Sequence, residues 1–213
     1  MSADGIPAAL PADICLTGLG LLLREWTDDD LPVMVELFND PQVGLWTPVR
    51  VPFDKEAAGA YLARARQRRS DGLCVQLAIT ADGDAPMGEI LLFRTGSPGE
   101  AELAYAVGPR HRRRRLATRA VQLITGYAYD VLGMDHLLLR IAQDNRGSVA
   151  VARSAGFGPT DATPLTRAGS RHPLHTWQHH GAERALRKLM SASSLALDGA
   201  GWSGHGSPGY GSG

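Results

Sequence analysis

The sequence predicts a mixed α/β domain built on a central, mostly antiparallel sheet flanked by helices, and two observations carry that prediction. Three consecutive strand-like runs, 74–80, 87–94 and 101–107, are separated by the turn signals ADGD and TGSPGE, which makes an antiparallel meander. A long amphipathic stretch then leads into the short apolar run 136–142, a strand, helix, strand unit whose crossover is expected to be right-handed.

The elements follow in order. Leu21 to Trp26 reads as the first strand, and Thr27 before Asp28, Asp29 and Asp30 opens a helix to about Asn39, with acids at its positive end. A loop holding Trp46, Pro48 and Pro52 comes next, and Asp54 then caps a helix through about Arg69 that carries Ala57, Ala58, Tyr61, Leu62 and Ala65 at helical spacing. After the meander, Leu116, Ala120, Val121, Ile124, Ala128, Val131 and Leu132 form one apolar stripe that ends at Gly133, a C-cap residue. His136 to Ala142, between Asp135 and Asp144, is too short for a helix and suits a buried strand. Asn145 begins a short helix to about Ser154, Gly156 and Phe157 mark its end, and 174–179 is the last strand.

With 213 residues the chain has room for one domain of ordinary size. Residues 1–18 read as a flexible tail, 19–182 as the folded domain, and 183–213 as an extension that is Gly/Ser-rich and disordered from about 199. Lys plus Arg equals Asp plus Glu at 22 each, so no global field recruits nucleic acid or a membrane surface, and any electrostatic function is local. Cys15 and Cys74 lack metal-type spacing and no run of about 18 apolar residues occurs, so a soluble, unexported, cytoplasmic protein is expected.

The local charge is the segment AELAYAVGPRHRRRRLATRA, residues 101–120, a strand that turns at Gly108 and Pro109 into a basic loop and then a helix. Free N–H groups at a helix N-terminus and the positive end of its dipole favour a phosphate, and adjacent arginines add charge-assisted bonds.

Tyr105, Val107, Pro109, Arg112 and the run Leu116, Ala117, Thr118 resemble the pantetheine and pyrophosphate motif of GNAT acyltransferases. Asn145, Ser148, Val151, Ala152, Gly156 and Phe157 resemble the Asn-x-x-Ser helix of the branch that acetylates protein N-termini, including the ribosomal-protein alanine acetyltransferases. The likeness covers roughly residues 20–180. It implies a GNAT-type sheet splayed between the fourth and fifth of the predicted strands, with acetyl-CoA as cosubstrate held by Tyr105, Ala106, Val107, Arg112, Arg113, Arg114, Arg115, Leu116, Ala117, Thr118, Asn145 and Ser148. One departure stands out: the family loop carries glycines where this chain has Arg113 and Arg115.

Acetyl transfer from a thioester to an amine needs a neutral amine, an oxyanion donor and a proton for the leaving thiolate. Glu102 alternates away from Leu103, Tyr105 and Val107 and is the candidate proton acceptor, with a surface carboxylate as the plainer reading and Glu89 and Glu100 as fallbacks. Ser148 is a candidate donor to the sulfur, and Asn145 is a candidate to contact pantetheine or to cap its helix, two roles that are not exclusive. Many relatives use a Tyr as acid four residues before the Gly156 position, and here that residue is Ala152. Trp46 and Trp177 are candidates to line the acceptor cleft, Trp46 with Glu102 as acceptor-binding residues. His172, His175, His179 and His180 lack acidic or Cys partners at suitable spacing, so no metal is expected. The acceptor is expected to be a peptide N-terminus or a small-molecule amine, and the oligomer a monomer or homodimer. The alternative is a degenerate GNAT domain that binds a ligand or partner without turnover.

Overall fold

The computed structural model describes residues 10, 11, 13–167 and 172–180, so the expectations for 1–9 and for the extension 183–213 fall outside the described residues. Among them an eight-stranded sheet runs in the order β1-β2-β3-β4-β5-β6-β8-β7. Its strands are β1 (Cys15–Gly18), β2 (Leu21–Glu25), β3 (Cys74–Thr80), β4 (Gly88–Arg94), β5 (Glu100–Val107), β6 (His136–Ala142), β7 (Gly158–Pro159) and β8 (Leu174–His180). Every neighbouring pair is antiparallel except β5 and β6. The helices are α1 (Leu31–Phe38), α2 (Pro41–Trp46), α3 (Lys55–Ser70), α4 (Leu116–Asp130) and α5 (Arg146–Ser154).

Two elements correct the sequence reading. Residues 15–18, assigned to the N-terminal tail, form β1 and pair with β2 across a two-residue turn, Leu19 and Gly20, whose φ values of 53° and 67° are the left-handed pair that tight hairpins require. The segment before Thr47, read as loop, contains α2: Asp40 caps it by accepting from the N–H groups of Gln42 and Val43 at 3.0 and 3.1 Å, and Pro41 occupies its first turn. The acidic start after Thr27 is a 3-10 turn, Asp28–Asp30, that leads into α1.

The alternation of β3, β4 and β5 places two cores on opposite faces of the sheet. Val75, Leu77, Ile90, Leu92 and Leu103 pack with Leu116, Ala120, Val121, Ile124 and Ala128 of α4 and with Ala152 of α5. The other face holds Ala78 against Trp26, Met34, Phe38, Phe53, Ala58 and Leu62, from α1, α3 and the segments around them. Phe38 is the hub of this second core, meeting Trp26, Phe53 and Tyr61 edge-on with ring centroids 6.2, 5.6 and 6.0 Å away. These contacts fix α3 and so place Tyr61 over the sheet.

β2 is tied to α1 by Asp30, which accepts from both terminal nitrogens of Arg24 at 2.7 and 2.9 Å and from the Thr27 N–H at 2.9 Å. Burial alone would raise the Asp30 carboxyl, but Arg24 and Thr27 together hold it below its ordinary value.

Candidate active site

The parallel pair β5–β6 separates after four residues. Glu100 to Leu103 pair with His136 to Leu139, whereas beyond them β5 continues only with β4, as far as Val107 opposite Gly88, and β6 only with β8, as far as Ala142 opposite Leu174. The facing edges of 104–107 and 140–142 therefore diverge with no ladder between them. A cavity of about 200 Å³ fills this wedge, lined by Ala104, Tyr105, Arg140, Asn145 and Ser148, with Trp46 and Thr47 from the end of α2 closing its side. An extended chain with amide groups could pair with these open edges as a strand would.

At one end of the wedge, Val107 leads into the basic loop and α4. Arg115 is the N-cap of α4 and makes no side-chain cap, so the first-turn amides remain open. Arg113 and Arg115 have φ of 63° and 55°, the left-handed region that favours glycine, and both side chains are exposed without a partner among the described residues. The loop thus keeps the backbone path that glycines would give while placing two free guanidinium groups at a helix N-terminus. These features suit a phosphate-bearing ligand.

The family model described as acetyltransferase (GNAT) domain matches residues 20–158, a segment that holds the wedge, the basic loop and α5. The chain belongs to the GNAT acetyltransferase family. By family it is an acetyl-CoA-dependent acyltransferase. Solved structures with the same fold include Mycobacterium smegmatis RimJ in complex with CoA-disulfide, 17% identical, covering 85% of this chain and 94% of its own, with a TM-score of 0.69. The ribosomal-protein-S5-alanine acetyltransferase of Vibrio fischeri is 14% identical with a TM-score of 0.67, covering 79% of this chain and 97% of its own. A GNAT-family acetyltransferase from Bacillus anthracis is 14% identical with a TM-score of 0.68, covering 78% and 98%. No curated protein matches the sequence significantly.

In this GNAT domain Glu102 lies on the sheet face opposite the one that Leu103 buries in the α4 core. It is 6% exposed, and both carboxylate oxygens accept from the two terminal nitrogens of Arg167, one at 2.8 Å and the other at 2.5 Å. Arg140 Nε stands 3.7 Å away on the neighbouring strand. A proton-accepting role for Glu102 therefore requires Arg167 to yield an oxygen. Asn145 caps α5, its side-chain oxygen accepting from the Ser148 N–H at 3.1 Å, and both residues line the wedge. Burial pushes the Tyr105 phenol up to about 12, so it stays protonated beside the wedge, its hydroxyl 3.5 Å from the Ser148 carbonyl oxygen.

Three residues assigned to the cosubstrate have contacts of their own within the domain. Leu116 is 2% exposed with its side chain in the core, so only its backbone faces the basic loop. Arg112 donates to Asp40 at 2.8 Å, to Gln42 at 3.1 Å and to the Val107 carbonyl at 3.1 Å, which ties the loop to the start of α2. The Arg114 guanidinium lies 3.7 Å from the Met87 sulfur. Ala117 and Thr118 are half-buried in the first turn of α4, and Ala106 packs against the second core. Ala152, where relatives carry a Tyr, is fully buried. The Trp46 ring lies 5.3 Å, centroid to centroid, from that of His172 at a tilt of 37°, and His172 is 3.5 Å from Asp144, whereas Trp177 sits in the α4 core under Arg153.

A second cavity, of about 410 Å³, adjoins the first at Thr47, Pro48, Ala104 and Tyr105 and extends between α3 and the meander. Its acid is Glu89, 2% exposed, whose oxygens accept from the Tyr61 hydroxyl at 2.7 Å and from the Gln76 amide at 2.8 Å. Burial raises this carboxyl to about 7 against the pull of those two donors. Sequence reasoning held Glu89 only as a fallback, read Tyr61 only as a helix residue and did not mark Gln76 or Arg167; the three reach their partners from 28, 13 and 65 residues away. Among the described residues no cluster of three potential metal ligands occurs, and no helix is long and apolar enough to cross a membrane.

Proposed function

We propose that the protein transfers an acetyl group from acetyl-CoA to a primary amine by direct attack, the acceptor being a peptide N-terminus or a small-molecule amine. The observation that carries this reading is the unladdered wedge of β5 and β6, which at Ala104 and Tyr105 adjoins a second, larger cavity. One cavity suits the extended pantetheine arm and the other the acceptor. The Vibrio fischeri neighbour, a ribosomal-protein-S5-alanine acetyltransferase, supports a peptide α-amine, and the CoA-disulfide complex of the Mycobacterium smegmatis neighbour supports the acyl donor.

In the proposed reaction the amine nitrogen bonds to the thioester carbon, the carbon–sulfur bond breaks, and the proton lost from nitrogen balances the one the thiolate gains. The open main-chain edge of Tyr105, Ala106 and Val107 orients the donor, with the amide of Asn145 beside it. Arg113, Arg115 and the open first-turn amides of α4 hold its phosphates, with Arg112 and Arg114 flanking them. Glu102 receives the ammonium proton, directly or through water, after Arg167 releases one of its oxygens, while the Ser148 hydroxyl and Tyr105 phenol are the proton donors nearest the wedge. Glu89 is the second candidate base, favoured by a proton affinity near neutrality in the acceptor cavity. Neither free cysteine lies in the wedge, so attack needs no covalent enzyme intermediate. Their unpaired thiols fit a cytoplasmic setting.

The test follows thiol release and product mass when the full chain is given acetyl-CoA with a panel of peptides and small amines. Acetylated product above the rate without protein supports the reading. A chain that acetyl-CoA stabilises against heat but that acetylates no member of the panel would overturn it in favour of a domain that binds without turnover.

A further inference from the structure

The larger cavity is electrostatically lopsided. Its walls carry three arginines, Arg50 from the segment after α2 and Arg64 and Arg68 from α3, against the single carboxylate of Glu89. Arg50 and Arg64 are exposed and have no carboxylate partner among the described residues, and Arg68 lies over the Phe93 ring, 4.9 Å from its centroid. This contrasts with the arginines around it: Arg24, Arg66 and Arg69 each hold an aspartate or glutamate. Within the cavity three guanidinium groups face one carboxyl, which is bonded to Tyr61 and Gln76 instead, although the chain as a whole has as many acids as bases. A group of uncompensated cations around an apolar floor of Leu91 and Phe93 selects for negative charge on whatever occupies it.

The spacing says what carries that charge. Arg64 and Arg68 lie one helical turn apart, about 6 Å along α3. Alternate side chains of an extended peptide are separated by about 6.6–6.8 Å and point to the same side. Each can therefore meet one arginine. The cavity shares Thr47, Pro48, Ala104 and Tyr105 with the wedge, so a chain whose α-amine reaches the thioester there has its next residues beside the space beneath α3.

Resting on the acetyltransferase reading above, we infer that the preferred acceptor is an acidic peptide N-terminus, with Asp or Glu within its first few residues held by Arg50, Arg64 and Arg68. The arginines act as specificity residues: they touch the acceptor away from the reacting nitrogen, so they govern which peptide is chosen. The contacts are partly exposed and so depend on salt.

The experiment compares peptides identical but for Asp, Asn or Lys at positions two to four, with wild-type protein and with Arg50→Glu/Arg64→Glu, both exposed positions that take no part in the core. Two readouts are taken: kcat/KM with acetyl-CoA, and peptide affinity by fluorescence anisotropy in the presence of CoA. In the wild type the acidic peptide is expected to lead the basic one by about tenfold to a hundredfold, with the gap narrowing in salt, as two or three charge-assisted contacts imply. The double variant is expected to reverse that order. A wild-type order that ignores charge, or an order unchanged by reversal, overturns the inference while leaving amine acetylation intact. Charge-dependent, Arg-dependent binding without product would sustain the acidic-peptide site and sink the turnover. Free glutamate acetylated as well as the acidic peptide would overturn the peptide and assign the cavity to small amino acids.

Discussion

Replacing Arg113 and Arg115 together by glycine should raise the melting temperature of the unliganded protein while weakening its hold on acetyl-CoA. Both residues sit in left-handed backbone, with φ of 63° and 55°. An L-residue with a side chain pays about 1–2 kcal/mol for that conformation, while glycine brings a loss of about 0.4–1 kcal/mol through its freer unfolded chain. The net gain is about 0.5–1 kcal/mol per site. For a protein of this size the pair should raise Tm by about 2–8 °C. Relief of repulsion between neighbouring arginines would act in the same direction, so the control is Arg113→Ala/Arg115→Ala, which removes the charges but keeps a Cβ in the left-handed region. The quantity to read is the difference between the glycine and alanine variants, by calorimetry at two salt concentrations. Alanine and glycine variants that melt together would refute the strain argument. With acetyl-CoA added, both variants should lose stabilisation relative to the wild type, by about 1.4 kcal/mol for each tenfold loss of affinity at saturating ligand.

Three further outcomes follow from buried side chains. Glu89 has its carboxyl raised from 4.5 to about 7, so the folded state binds the proton more tightly, and the stability this gives is complete below about pH 4.5 and is lost as pH rises through about 7. At 1.36 kcal/mol per tenfold change in proton affinity the loss is about 3 kcal/mol, and Glu89→Gln should flatten the fall in urea-denaturation stability between about pH 5 and pH 8; an equal fall in the variant would exclude Glu89 as its source. Glu102→Gln should lower kcat by about 10²–10⁴ and Glu89→Gln by less than about tenfold, measured at saturating peptide, and the opposite ranking would move the proton-accepting role to Glu89. Phe38→Ala should cost about 3–5 kcal/mol, because it removes the ring on which Trp26, Phe53 and Tyr61 converge; a loss under about 1 kcal/mol in denaturant titration would mean that the second core closes over the gap.

The parts of the fold that were legible are those whose signal is local. The strands at 74–80 and 136–142 match the structure residue for residue, because their apolar runs end at turn residues, and Asp54 caps α3 by accepting from the Ala57 N–H at 2.9 Å. β1 was missed because its hairpin turns on Leu19 and Gly20 rather than on an Asn-Gly or Asp-Gly pair. α2 carries a start signal, Asp40 followed by Pro41, but its six residues are too few to show helical periodicity.

The site divides along the same line, and the basic loop shows why. Its two arginines depart from the family's glycines in sequence, yet both adopt the left-handed backbone that glycine would supply, so the path of the loop is set by what precedes and follows it, with Gly108 and Pro109 on one side and α4 on the other. A motif written in residue types underestimates such a loop, because what a phosphate meets is the direction of N–H groups. The reverse holds for Glu102. Its type and strand position were readable, but its partner Arg167 lies 65 residues on, where no periodicity or spacing connects them. The Tyr61, Gln76 and Glu89 cluster needs a helix and two strands to be assembled before any of its hydrogen bonds exists. Sequence thus reports the groups proposed for the acyl donor, which sit on consecutive elements, and names single acceptor-side candidates such as Glu102 and Glu89, but not the partners that the sheet's order brings to them.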